Sequence, residues 1–150
     1  MMTERERFTR GLAKLAEIDG DAGQRVIDGL ADIAPALGQY IVEFAFGDIY
    51  SRPGLDLRTR EIATVAALTA MGTAQPQLEV HLHAALNVGC TQTELVETII
   101  QMAAYAGFPA SLNGIAALRR VLATQPAVDH HTAPGVDAVA PIPGQPGTRP

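Results

Sequence analysis

The stretch QPQLEVHLHAALNVGCTQTELVET, residues 75–98, contains the end signals of two helices. Pro76 suits the first turn of a helix, because its backbone angle is already helical and its missing amide would have no partner there. Gly89 stops that helix, since glycine commonly follows a helix C-terminus. Thr91 and Glu94 then form a capping box, in which each side chain accepts a hydrogen bond from the other's backbone amide. The stretch therefore predicts two consecutive helices.

Similar signals on both sides predict further helices. Asp56 is a suitable N-cap for a helix over about 57–71, which Gly72 ends. Apolar residues at helical spacing predict the others, over about 3–18, 26–33, from Pro35 to about 45, 92–106 and 109–122. Residues 47–56, GDIYSRPGLD, are typical of an irregular turn. Nowhere do β-branched residues alternate with polar ones, so we predict an all-α fold, a compact bundle of about six helices.

The chain divides into two parts by composition. Residues 1–124 carry the helical patterns and form one predicted domain. Residues 125–150 are rich in proline and glycine and include His130 and His131. Such a composition predicts a flexible tail.

Charge and cysteine content exclude several classes of protein. The net charge of −5 leaves no basic stripe for phosphate, so we expect no nucleic-acid partner. The single cysteine excludes an intrachain disulfide, and MMTERERFTR at the N-terminus lacks the apolar segment of a signal peptide. We therefore expect a cytoplasmic protein. The uncharged stretch from Thr98 to Leu118 is interrupted at Gly107, so it predicts two largely buried helices, more easily covered in an oligomer, and not a membrane span.

The residues that could carry chemistry cluster around the same stretch. His81 and His83 are two residues apart, so on a helix they diverge and cannot share a metal ion. His81 lies on the apolar side, where it is either a packed core histidine or an acid–base group. Glu61 lies at the edge of the buried stripe of its helix and could face a cleft. Cys90 lies near a helix N-terminus, where it is either an activated thiol or a small residue filling a turn.

Taken together, two segments resemble the carboxymuconolactone decarboxylase family. They are FGDIYSRPGLDLRTREIATVAALTAMG, residues 46–72, and QLEVHLHAALNVGCTQTELVETIIQMAAYAGFPAS, residues 77–111. The likeness runs from about residue 7 to about residue 122. It implies the helical fold shared with alkylhydroperoxidase D-like proteins and assembly as a trimer or hexamer. The CxxCxxxH motif of the peroxidase branch is absent, since its cysteine positions hold Ala74 and Gln77.

The resemblance implies a decarboxylase without a cofactor. In the family substrate, 4-carboxymuconolactone, loss of CO₂ leaves a dienolate that the lactone itself delocalises. The enzyme then has to hold the second carboxylate and deliver a proton to carbon. His81 stands at the family's histidine position and is the expected proton donor, with Glu61 orienting it. Arg52 is the expected carboxylate anchor, and the expected pocket residues are Phe46, Tyr50, His83 and Tyr105.

Other functions stay open at this point. His83 stands where the family commonly has arginine, and Val88 where it commonly has asparagine, so a related lyase or isomerase with a less charged small-molecule substrate is an alternative. A non-catalytic, ligand-binding helical oligomer is another. A thiol peroxidase acting through Cys90 is a third. The leading expectation places the protein in the catabolism of aromatic compounds.

Overall fold

The computed structural model describes residues 3–124 as seven α-helices and one π-helix, with no β-strand in that range. The all-α fold class is confirmed. The predicted tail and the pair His130–His131 lie outside the described residues. In chain order the elements are α1 (Glu4–Asp19), α2 (Asp21–Asp28), α3 (Pro35–Tyr40), the π-helix (Ile41–Tyr50), α4 (Leu57–Met71), α5 (Gln75–Asn87), α6 (Gln92–Ala106) and α7 (Phe108–Thr124).

The helix ends follow the local signals of the sequence. The side chain of Asp56 accepts a hydrogen bond of 2.7 Å from the backbone amide of Thr59. Thr91 and Glu94 form the predicted capping box at the start of α6. Gly72 ends α4 with a φ of 71°, in the left-handed region that glycine adopts without strain. The predicted bounds of α4 are therefore confirmed.

The region before α4 differs from the expectation. The helix predicted from Pro35 to about residue 45 changes after Tyr40 into a π-helix that continues to Tyr50. The irregular turn is correspondingly shorter than predicted and begins at Ser51, whose hydroxyl donates to the carbonyl of Phe46 at 2.7 Å. The predicted helix over 26–33 is also displaced, since α2 ends at Asp28 and turns follow it.

Two apolar clusters form the core, and α5 contributes to both. Leu78 and Leu82 are fully buried in the cluster that joins α4, α5, α6 and α7. On another side of α5, Ala84 packs with residues of α1 and the π-helix. At Gly11 of α1 an added Cβ would lie 2.1 Å from the carbonyl oxygen of Val42. The backbones of α1 and the π-helix are thus in direct contact, which fixes one side of the site described below.

A group of large apolar side chains on α6 and α7 is exposed to solvent. Ile100, Tyr105, Phe108 and Leu112 are 52%, 80%, 77% and 68% exposed. They belong to the uncharged stretch that was predicted to be largely buried, so the single chain leaves part of that stretch uncovered. Within residues 3–124 no helix has both the length and the apolar character needed to cross a membrane.

Candidate active site

An apolar cavity of about 490 Å³ lies among α1, α2, the π-helix, α4 and α5. Its walls are mostly aliphatic and aromatic. Among its polar lining residues, His81, Asp19 and Tyr50 can ionise, and none of the lining residues is lysine or arginine. A mostly apolar pocket with a few convergent polar groups is the usual form of a small-molecule site.

His81 on α5 is paired with a buried carboxylate on α4. Its Nδ1 lies 3.0 Å from Oε2 of Glu61, to which the ring N–H donates. Glu61 is fully buried, and its other oxygen, Oε1, has no hydrogen-bond partner within residues 3–124. The pair holds the imidazole in one orientation and leaves Nε2 for a ligand in the cavity.

The environment of His81 favours its protonated form. Burial alone would lower the pKa of His81, but the hydrogen bond and negative charge of Glu61, together with the charge of Asp19, raise it above its ordinary value. An imidazole with a raised pKa can hold a proton at neutral pH and donate it within the cavity. The pair therefore has the properties of a general acid.

The two aromatic residues predicted for the pocket lie in its wall. The rings of Phe46 and Tyr50 stack with their centroids 5.4 Å apart on the π-helix. Because the hydroxyl of Thr64 donates to the carbonyl of Arg60, Thr64 accepts the hydrogen bond of 2.7 Å from Tyr50. Burial, with the charge of Glu61, raises the pKa of Tyr50, so the phenol stays neutral and acts as a hydrogen-bond donor.

Asp19 is a cavity residue that the sequence analysis missed. It is the last residue of α1, is only 6% exposed, and has an Oδ1 atom without a hydrogen-bond partner. Burial raises its pKa to about 6, the charge of Glu61 acts in the same direction, and the charge of His81 opposes both. The site thus contains three ionisable groups in mutual interaction, namely Asp19, Glu61 and His81.

The other predicted site residues lie away from this cavity. Arg52 is exposed in the turn after the π-helix, where its carbonyl accepts a hydrogen bond of 3.0 Å from the guanidinium of Arg60. His83 points toward the end of α7, with Nε2 3.5 Å from the hydroxyl of Thr124. Tyr105 belongs to the exposed group on α6 and α7. The single chain therefore brings together His81, Glu61, Phe46 and Tyr50, but not Arg52, His83 or Tyr105.

Cys90 is packed in the core and not activated. It is 4% exposed, and burial raises the pKa of its thiol, although the nearby charge of Arg58 opposes this. A raised thiol pKa reduces the thiolate fraction, which disfavours peroxidase chemistry at Cys90. Among residues 3–124 no group of three or more histidine, cysteine or acidic side chains is arranged to hold a metal ion.

The fold and the site define an all-α protein with a histidine–carboxylate pair beside an apolar cavity. The model of the carboxymuconolactone decarboxylase family matches residues 35–120, and the chain belongs to this family. The resemblance found in the sequence is thereby confirmed.

The chain is also similar to three curated proteins. The chain is 38% identical to the 4-carboxymuconolactone decarboxylase of Acinetobacter baylyi over 111 residues, which cover 73% of this chain and 82% of the relative. It is 35% identical over 94 residues to an uncharacterized 15.0 kDa protein of Paracoccus denitrificans, covering 62% and 70%. It is 29% identical over 84 residues to the nitrosuccinic acid decarboxylase npaB of Metarhizium robertsii, covering 56% and 58%. Two of the three relatives are therefore named as decarboxylases.

Proposed function

We propose that the protein is a cofactor-independent decarboxylase of a small unsaturated lactone or related carbonyl acid, with His81 as the proton donor. The observation that carries this proposal is the pairing of His81 with the buried Glu61 at the wall of the apolar cavity. Family membership and the names of two relatives support a carboxy-lyase reaction.

The reaction proceeds in two steps. The bond between the substrate carbon and its carboxylate breaks, CO₂ leaves, and the electron pair spreads into the conjugated carbonyl as a dienolate. The imidazolium of His81 then gives its proton to carbon, which completes the product and leaves a neutral ring that regains a proton from water. Glu61 holds the ring in place and stabilises its positive charge, which supports both the position and the protonation of the donor.

The apolar wall assists the first step. A carboxylate is stabilised by water, whereas the transition state spreads its charge over a larger group, so a dry surrounding favours loss of CO₂. Phe46 and Tyr50 provide the aromatic part of that wall. The hydroxyl of Tyr50 is already occupied by Thr64, which supports a role for the tyrosine in shaping the cavity.

In this proposal, binding of the substrate carboxylate by Arg52 is linked to assembly of the oligomer. Arg52 stays the proposed anchor, but it lies outside the cavity of the single chain, so it can reach a substrate only where its turn meets another copy or moves. The exposed Ile100, Tyr105, Phe108 and Leu112 support self-association as a trimer or hexamer, with a role for Tyr105 at or near an interface. Light scattering should give a homo-oligomer, and a monomeric wild-type protein would contradict this part.

Another reaction on a less charged substrate is the second candidate function. It is favoured by one observation, namely that no lysine or arginine lines the cavity. A lyase or isomerase acting on a neutral or singly charged carbonyl compound would use the same histidine for proton transfer. Ligand binding without turnover would instead identify a non-catalytic binding protein.

Substitution of His81 tests the acid–base role. His81→Ala should lower kcat for decarboxylation of 4-carboxymuconolactone, or of its analogue that carries only the leaving carboxylate, by about a hundredfold or more, because the proton donor is lost. His83→Ala, on the same helix but outside the cavity, is the matched control and should retain activity in the wild-type range. Release of CO₂ and the oligomer size should be measured for both variants. Near-normal turnover by an intact His81→Ala oligomer would refute the assignment.

A further inference from the structure

Asp19 occupies an unusual position for a carboxylate. Its side chain lines the cavity together with His81, yet it is 94% buried and its Oδ1 has no hydrogen-bond partner among residues 3–124. A buried polar atom without a partner costs free energy. We therefore expect a bound ligand to donate the missing hydrogen bond to Oδ1 of Asp19. Neither the acid–base role of His81 nor the pairing with Glu61 uses this atom.

The ionisable groups that interact with Asp19 lie on three elements. In the part of the chain that the structure describes, His81 on α5 is the only cationic group that interacts with Asp19, and it is already paired with Glu61 on α4. Tyr50 on the π-helix interacts with Asp19 as well, and its neutral phenol offers no positive charge. Two carboxylates therefore share one imidazolium beside the cavity. A further negative charge placed there would meet repulsion from Asp19 without a compensating cation.

We infer that Asp19 is a specificity-determining residue, which excludes a second carboxylate from the cavity and accepts a hydrogen bond from an uncharged hydroxyl or amide of the ligand. The substrate class is then a carbonyl compound with one carboxylate, the one that is lost, and an uncharged polar group facing Asp19. This inference rests on the proposed function and narrows its substrate to a compound without a second carboxylate for Arg52 to anchor.

The test compares two stable ring compounds that differ by one carboxylate. Furoate has one carboxylate, and the furandicarboxylate has one on each side of the ring oxygen. At about pH 7.5 the wild-type protein should bind furoate about tenfold more tightly or better, because the dicarboxylate meets Asp19. Calorimetry of the full-length protein gives both dissociation constants.

Asp19→Asn should reduce that preference to within about threefold, since it removes the charge and keeps the shape. Asp32→Asn is the matched control, because Asp32 is exposed and outside the cavity, and it should keep the wild-type preference. In the wild type the preference should also weaken below about pH 6, where Asp19 gains a proton. A merely structural role of Asp19 would not produce this pH profile.

Three results would overturn the inference. They are a wild-type protein without preference between the two compounds, a preference that Asp19→Asn leaves unchanged, and binding of neither compound. These results are separable from failure of the proposed function, which is measured by the His81-dependent release of CO₂. An unchanged preference with His81-dependent decarboxylation refutes only the role of Asp19, whereas an Asp19-dependent preference without decarboxylation of the analogue that carries only the leaving carboxylate refutes only the reaction.

Discussion

Replacing Asp19 by asparagine should stabilise the fold at neutral pH and have little effect in acid. Burial raises the pKa of Asp19 from 3.8 to about 6, so the folded protein binds this proton more tightly than the unfolded chain does. The corresponding stability is fully present below about pH 4 and is lost as the pH rises through about 6. Two pKa units correspond to ~3 kcal/mol of free energy of unfolding. Asp19 lies at a cavity wall and not in closed packing, so part of this charge is screened and we expect a gain of about 1–3 kcal/mol for Asp19→Asn near pH 8.

Urea unfolding followed by circular dichroism measures this gain directly. Wild type, Asp19→Asn and the control Asp32→Asn should be compared at equal protein concentration from about pH 4 to about pH 8, since an oligomer's stability depends on concentration. The curves of wild type and Asp19→Asn should separate as the pH rises, whereas the exposed control should follow the wild type. A stability difference that is the same at every pH, or a loss of stability near pH 8, would refute the electrostatic reasoning.

Three further substitutions test the site and the fold. Glu61→Gln should lower the pKa of His81, because the hydrogen bond to a carboxylate and its negative charge are lost while the burial of the ring remains. Proton NMR of the imidazole measures this pKa, and an unchanged value would contradict the pairing. Gly11→Ala should lower the free energy of unfolding by about 3 kcal/mol or more, because its Cβ would lie 2.1 Å from a carbonyl oxygen of the π-helix. The control Gly54→Ala, whose Cβ would have no atom within 4 Å, should leave thermal unfolding nearly unchanged. Thr91→Ala should lower the free energy of unfolding by about 1 kcal/mol, because α6 loses its N-cap. An unchanged midpoint of urea unfolding would argue against the capping box.

Helix ends could be predicted from the sequence wherever a side chain itself supplies the missing hydrogen bond. Asp56 and Thr91 satisfy backbone amides within three residues of their own position, so no distant part of the chain is needed to place them. The change from α3 to the π-helix has no such local signal. Apolar spacing around Phe44 and Ala45 fits a continuous α-helix, and the wider turn depends on how the segment packs against α1.

The histidine of the site could be identified from the sequence, and its surroundings only in part. His81 was placed on the apolar side of its helix, and its side chain lines the cavity together with Gln77 and Val80 of the same helix. Asp19 was missed because α1 was predicted to end one residue before it. A signal was present, since Asp19 follows Leu15 by four residues and so shares its buried face. Arg52 was assigned by resemblance, and its position relative to the cavity depends on the geometry of the turn that holds it.

The π-helix gives the cavity an aromatic wall whose position depends on the wide turns of this segment. Each turn closes on the fifth residue along the chain instead of the fourth. Shortening the segment before Phe46 would allow it to rewind as an ordinary α-helix. The rings of Phe46 and Tyr50 would then rotate together around the helix axis, and the cavity would lose its aromatic side without a change in the histidine. Relatives that differ by one residue in this segment would therefore have cavities of different shape around the same proton donor.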